Sequence, residues 1–266
     1  MNPLAAASLE DVQAQADLRG VPIDEVGICD LRYPVQVAGR AGVQSTVATV
    51  HAKVALPAEA RGTHMSRFVE SLSERLGPLD ARSCASLAED LCERLTSAES
   101  TVGFRFTYFI EREAPVSGLP ALVDIEATLE ATAGHATTVR IGVRVPVTSL
   151  CPCSREISDY GAHNQRGHVE IIVVCKPGES VAIEDLVDLA DASASAPIYS
   201  LLKRVDERSV TMSAYENPAF VEDIARDVVV ALRADQRIAE YSVSVINQES
   251  IHNHNAIATI RGRAAA

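Results

Sequence analysis

Cys151, Cys153 and His163 share one polar stretch, SLCPCSREISDYGAHNQRGH, which lies between two runs of alternating apolar residues. Thiols in a loop point to chemistry more than to packing, because thiolate and imidazole act as nucleophiles, bases and metal ligands. Two further stretches carry side chains of the same kind. LLKRVDERS supplies Lys203, Arg204, Asp206, Glu207 and Arg208, and NQESIHNHN supplies Glu249, His252 and His254. Glu222 stands about one turn into a helical pattern. A thiolate, imidazoles and a carboxylate match the donors zinc accepts, with one position left for water. The same mixed set admits manganese or iron(II). The eleven residues between Cys153's neighbour Cys151 and His163 match no common zinc-finger spacing. Each residue also has a plain structural reading. His163 can cap a turn, Cys153 can be a buried thiol, and His252 and His254 can decorate a solvated hairpin tip. Glu207 can belong to a surface charge pair, and Glu222 can complement a helix dipole. Convergence in space is what favours chemistry over these readings.

Hydrophobic periodicity supplies the elements that must position these residues. Strands are expected at 31–38 and 44–56, helices at 66–76 and 80–98, and strands at 101–112 and 121–131. The order then recurs. Strands are expected around 139–147 and 169–175, helices at 182–192 and 218–234, and strands at 239–248 and 255–262. Asn217 is the expected N-cap of the helix at 218–234, with Pro218 in its first turn. Residues 1–27 read as an N-terminal arm, 28–134 as a first unit and 135–266 as a second. If successive elements run antiparallel, the loops near 149–167, 193–216 and 249–254 lie at one end of the second unit. Those three loops carry most of the candidate side chains.

The 266 residues suffice for a core without disulfide staples. Hydrophobic residues make up 47%, but Trp is absent and aromatics are 4%, so the core must be aliphatic. The N-terminus lacks the basic and apolar regions of a secretory signal, and no apolar run is long enough to cross a bilayer. The expected location is the cytoplasm, where the six cysteines stay reduced. Cys84, Cys92 and Cys175 fall on apolar phases and read as buried hydrophobes. The net charge of −12 argues against nucleic-acid binding, though not against a small anionic substrate in a local basic pocket. The cations are 21 Arg and 3 Lys. Arginine suits bidentate contact with phosphate.

SLCPCSREIS with YGAHNQR, LLKR with DE, ENPAFVEDIARDV and INQESIHNHNA together resemble the prokaryotic type IB GTP cyclohydrolases. The resemblance extends to LRYP at 31–34 and GTHMSRFVE at 62–70, and spans most of 28–262. It implies an α+β protein of two fused tunnelling-fold units. Each would be β-β-α-α-β-β, an antiparallel sheet with two helices on one face, assembled as a homotetramer with sites near subunit interfaces. It implies hydrolysis of GTP to formate and 7,8-dihydroneopterin triphosphate, the entry to folate synthesis, with one divalent metal (Zn, Mn or Fe(II)) per active site. By motif, Cys151, His163 and Glu207 fall on metal-site positions. His252 falls on a ligand or acid/base position, and Glu222 on the position that anchors the purine.

This reading gives each residue a task. A bound cation lowers the pKa of water so that it attacks guanine C8. His252 and Glu249 then move protons during ribose rearrangement and ring closure, with Cys153 a further candidate. Glu222 accepts hydrogen bonds from guanine N1–H and the N2 amine. Lys203, Arg204 and Arg166 are candidates for the triphosphate. His64, Ser66 and Arg67 form a candidate helix-start anion site that could serve only a neighbouring unit or subunit. Three other readings stay open: a deazaguanine nitrile reductase with Cys151 as nucleophile and NADPH as reductant, an archaeal-type cyclohydrolase with iron and a cyclic phosphate product, and a non-catalytic protein clamped by metal.

Overall fold

The computed structural model describes residues 11–264. The first ten residues of the expected arm lie outside the described part. Residues 11–17 run beside 59–64, where Asp17 N–H donates to Glu59 O at 2.9 Å and Gln13 Nε2 to Thr63 O at 2.9 Å.

Alternation of apolar residues builds the first half. Strands β1 (Ile23–Gly39) and β2 (Gly42–Leu56) form a hairpin. Helices α1 (Met65–Arg75) and α2 (Ala81–Leu95) follow. Asp80 opens α2 with a reciprocal cap, accepting from Ser83 N–H at 2.7 Å while Ser83 Oγ accepts from Asp80 N–H at 2.8 Å. Strands β3 (Ser100–Glu113) and β4 (Pro120–Ala133) complete this half. Val102, Phe104, Phe106 and Tyr108 of β3 are buried, as are Phe68, Leu72, Cys84, Leu87 and Leu91 of the helices. Each large apolar side chain buried here contributes about 2 kcal/mol.

The second half continues the same sheet. Strand β5 (Thr138–Leu150) pairs with β4 and with β6 (Asn164–Cys175), and the six-residue helix α3 (Pro152–Ile157) lies between β5 and β6. Helix α4 (Ile183–Ser193), strand β7 (Ala196–Pro197), and helices α5 (Arg204–Glu216) and α6 (Val221–Ala234) come next. Strands β8 (Ile238–Asn247) and β9 (Ala256–Arg263) close the chain. The sheet runs β1-β2-β3-β4-β5-β6-β8-β9, all antiparallel, with β7 added beside the end of β5.

This architecture corrects the expected pair of fused tunnelling-fold units. Among the described residues there is one continuous nine-stranded sheet with six helices, not two six-element units. The second half carries four helices and an extra strand where two helices were expected. The stretch 193–216, expected as a link, is mostly α5. Its sequence RVDERSVTMSAYE carries no apolar stripe, and only Asp206 and Ala214 are buried, so periodicity could not reveal it. Asn217 is accordingly the C-cap of α5, not an N-cap; its side-chain amide donates to Ala194 O at 2.9 Å. Helix α6 begins at Val221, where Asp223 accepts from Phe220 N–H at 3.1 Å.

The two halves are joined by buried polar contacts as well as by the sheet. Glu184 of α4 accepts from Tyr108 Oη at 2.7 Å and from Arg40 N–H at 2.6 Å. Arg112 of β3 ion-pairs with Asp191 of α4 and donates to Ile198 O. Burial pushes the Asp191 carboxyl up to about 6, outweighing the guanidinium beside it. An aspartate raised in this way holds a proton in the folded chain between about pH 4 and 6 that the unfolded chain releases. Its contribution to stability is present below about pH 4 and lost as pH rises through 6. Asp191→Asn is therefore expected to gain on the order of 1 kcal/mol relative to wild type between pH 4.5 and 7, measured by urea unfolding at both pH values. An unchanged difference between the two pH values would show that Asp191 does not titrate there.

Candidate functional site

Strand β5 delivers Cys151 to one end of the sheet, and β6 begins there with His163 directly before it. The two backbones are tied, Cys151 N–H donating to His163 O at 3.1 Å. Ser154 staples the intervening loop. Its N–H donates to Cys151 Sγ at 3.4 Å, its Oγ donates to Cys151 O at 3.2 Å, and the same Oγ accepts from His163 N–H at 3.2 Å. Both Cys151 and His163 are half-buried, whereas Cys153 is exposed on α3.

Behind His163 lies a buried polar network that spacing did not reveal. His163 Nδ1 is 2.9 Å from Gln165 Oε1. Gln165 Nε2 donates to Ser149 Oγ at 3.3 Å, Asn247 Nδ2 donates to the same oxygen at 2.7 Å, and Ser149 Oγ donates to Ala219 O at 2.9 Å. Because Gln165 turns its amine toward Ser149, it turns its carbonyl toward the imidazole. In a neutral imidazole this contact places the ring proton on Nδ1 and leaves the lone pair at Nε2. Gln165, Ser149 and Asn247 all sit on the apolar phase of their strands, at 8%, 1% and 2% exposure. Polar residues at buried strand positions beside a Cys/His loop were the available signal in the sequence.

The third loop joins this cluster. Ser250 Oγ lies 3.4 Å from His163 Nδ1, which brings the loop of half-buried Glu249 and exposed His252 to the same end; the His252 and His254 rings stack with centroids 5.1 Å apart. Glu222 is exposed in the first turn of α6, three residues after Ala219, whose N–H donates to Leu150 O at 3.1 Å. Arg166 is exposed on β6, and its carbonyl accepts from Gln248 N–H at 2.9 Å.

Glu207, Lys203 and Arg204 sit elsewhere. All three are exposed at the N-terminal end of α5. It is Tyr215, near the other end of that helix, that meets the Cys151 loop, with the Arg155 guanidinium 4.7 Å over its ring. Eight residues of helix separate Glu207 from Tyr215, a rise of about 12 Å. Among the described residues, no group of three or more His, Cys, Asp or Glu side chains is close enough to hold a metal ion. Among the described residues, Cys151 and His163 thus come together without a third donor, and Glu207 lies about 12 Å along α5 from the residue that meets their loop. His64 and Arg67 are farther still, at the opposite end of the sheet by strand direction. His64 pairs with Asp11 at 3.1 Å, and Arg67 donates to Arg94 O at 3.1 Å.

The donor chemistry of the Cys151 loop suits a divalent cation. A thiol sits at a helix start and an imidazole has its second nitrogen fixed by a buried amide, the usual support of a histidine ligand. Gln165→Leu is expected to weaken divalent-metal binding about 10- to 100-fold. Equilibrium dialysis against manganese reads this directly. Affinity equal to wild type in a folded variant would remove Gln165 from the site.

Known proteins resemble this chain over nearly its whole length. Residues 9–258 match the family model described as type I GTP cyclohydrolase folE2. The chain is 47% identical over 265 residues to GTP cyclohydrolase FolE2 1 of Dechloromonas aromatica, covering 98% of this chain and 99% of that one. It is 48% identical over 253 residues to GTP cyclohydrolase FolE2 of Caldicellulosiruptor saccharolyticus, covering 95% and 98%. The chain belongs to the type I GTP cyclohydrolase FolE2 family. In shape it is similar to a hyper-thermostable uricase mutant, with TM-score 0.53 and 9% identity over 91% of this chain and 92% of that one. It is also similar to a highly active mutant of Bacillus sp. TB-90 urate oxidase, with TM-score 0.52 and 11% identity over 91% and 100%. These likenesses concern the fold alone. The match runs through both halves of the continuous sheet, over 91% of the chain. No helix of the described residues is long and apolar enough to cross a membrane.

Proposed function

We infer that this chain is a GTP cyclohydrolase, converting GTP and water to formate and 7,8-dihydroneopterin triphosphate at the start of folate biosynthesis. The observation that carries the reading is the end-to-end match to FolE2 relatives at 47–48% identity, with the Cys151–His163 loop inside it.

The reaction must hydrate a poorly electrophilic carbon at neutral pH. A divalent ion supplies that chemistry by acidifying water to a pKa of about 7. Cys151 and His163 would hold it, with Glu207 of the partner subunit as the carboxylate donor and the chain acting as a homo-oligomer. Support for the shared site is the exposure of Glu207 and its distance along α5 from the Cys151 loop. Glu222 orients the purine by accepting from N1–H and the N2 amine. Lys203 and Arg204 offer cations to the triphosphate, and Arg166 offers another. His252 and Glu249 exchange protons with the ribose and the opened ring, with exposed Cys153 a further candidate.

The test is GTP turnover by metal-stripped protein re-supplied with zinc, manganese or iron(II) in turn, reading formate and product mass. Formate with dihydroneopterin triphosphate supports the reading. A cyclic phosphate product, or NADPH oxidation with a deazaguanine nitrile and no formate from GTP, overturns it.

A further inference from the structure

Asp206 is the most fully buried carboxylate in the neighbourhood of the candidate site, at 0% exposure, yet among the described residues it ion-pairs with no cation. Its four partners are all neutral donors. Oδ1 accepts from Val116 N–H at 2.9 Å and Ser117 N–H at 2.8 Å. Oδ2 accepts from Ser117 Oγ at 2.7 Å and Lys203 N–H at 2.8 Å. Val116 and Ser117 form the tip of the β3–β4 hairpin in the first half, a turn closed by Gly118 N–H on Ala114 O at 3.0 Å with Gly118 at φ +65°. Lys203 is the N-cap of α5 in the second half. The same hairpin holds the segment before α5, through Arg112 on Ile198 O and Ser200 Oγ on Leu122 O at 2.6 Å.

Burying a carboxylate is costly unless every lone pair is used, and apolar packing gives equal stability at lower cost. What four directed hydrogen bonds add is a fixed position. Lys203, Arg204 and Glu207 flank Asp206 within one helical turn, and their own side chains are exposed. Among the described residues, the other hydrogen bonds of that turn run within α5 itself, such as those from Asp206 N–H and Glu207 N–H to Lys203 O at 2.9 Å.

We propose that Asp206 is a positioning residue for GTP and metal binding, locking the first turn of α5 onto the β3–β4 hairpin so that Lys203, Arg204 and Glu207 are presented in register. This rests on the cyclohydrolase reading. The first half of the chain thereby sets the geometry of residues that belong to the second.

Asp206→Asn keeps the volume but leaves one acceptor oxygen, so it cannot serve the hairpin N–H groups and Lys203 N–H together. At saturating manganese it is expected to raise KM for GTP about tenfold with kcat within about threefold, and to weaken manganese binding about tenfold. Amide exchange at 203–207 should accelerate. Ser117→Ala, which removes one bond, should move the same quantities less and in the same direction, and it stands in if the first variant fails to fold. Glu184→Gln is the control: it disturbs another buried carboxylate between the halves, and should lower thermal stability without moving KM or manganese affinity. Folded Asp206→Asn with wild-type KM, manganese affinity and exchange overturns the proposal, as does an equal rise in KM for Glu184→Gln. If wild-type protein releases no formate from GTP, the functional reading fails separately, and exchange at 203–207 still decides whether Asp206 holds the turn.

Discussion

Cys151→Ala is expected to give a folded protein that releases formate from GTP at least about a thousandfold more slowly, the equivalent of roughly 4 kcal/mol of lost transition-state stabilisation. The fold does not need the thiol. Its side chain is half-buried and accepts one long contact from Ser154 N–H, while the loop is held by backbone and Ser154 Oγ contacts that alanine keeps. Stability should fall by less than about 1 kcal/mol. A structural clamp would behave in the opposite way, with a large loss of thermal stability on substitution or chelation. The same variant tests the shared site. Oligomers assembled from Cys151→Ala and Glu207→Ala subunits should regain formate release, because some sites then combine an intact cysteine with an intact glutamate. Mixed assemblies as inactive as their parents would confine the metal donors to one chain.

Glu222→Gln is expected to lower kcat/KM for GTP about a thousandfold. A carboxylate accepts from two guanine donors at once. A glutamine offers one acceptor and turns an amine toward the other donor, leaving like groups opposed. Glu222 is exposed in the first turn of α6, so the substitution should leave thermal stability nearly unchanged. Steady-state formate release, with the melting temperature alongside, checks both. A kcat/KM within threefold of wild type would release Glu222 from the purine.

Strands and core helices were legible because burial imposes a period. Val102, Phe104, Phe106 and Tyr108 alternate in the sequence and all four are buried. The expected strand at 31–38 is a segment of a longer one, Ile23–Gly39, because its first residues are largely exposed and carry no alternation. Helices without an apolar face were not legible: α5 exposes nearly every side chain, and α3 is six residues long. The meeting of the first and third loops was readable from antiparallel geometry, since Ser250 lies against His163, but the expected loop at 193–216 is mostly α5. Geometry along a helix that had not been foreseen was not readable, which is why Glu207 looked like a neighbour of Cys151. Gln165 and Asn247 were not legible for another reason. A polar residue on a buried strand phase looks like a break in the pattern until its partners are known.

Strand order carries a temporal consequence. Apart from short β7 and the passage from β6 to β8, each strand lies against the one made just before it. Such a meander lets structure accumulate in the direction of synthesis, with few distant ends to bring together. The β3–β4 hairpin precedes residue 206 in synthesis, so the two amides at its tip are made before the carboxylate that answers them.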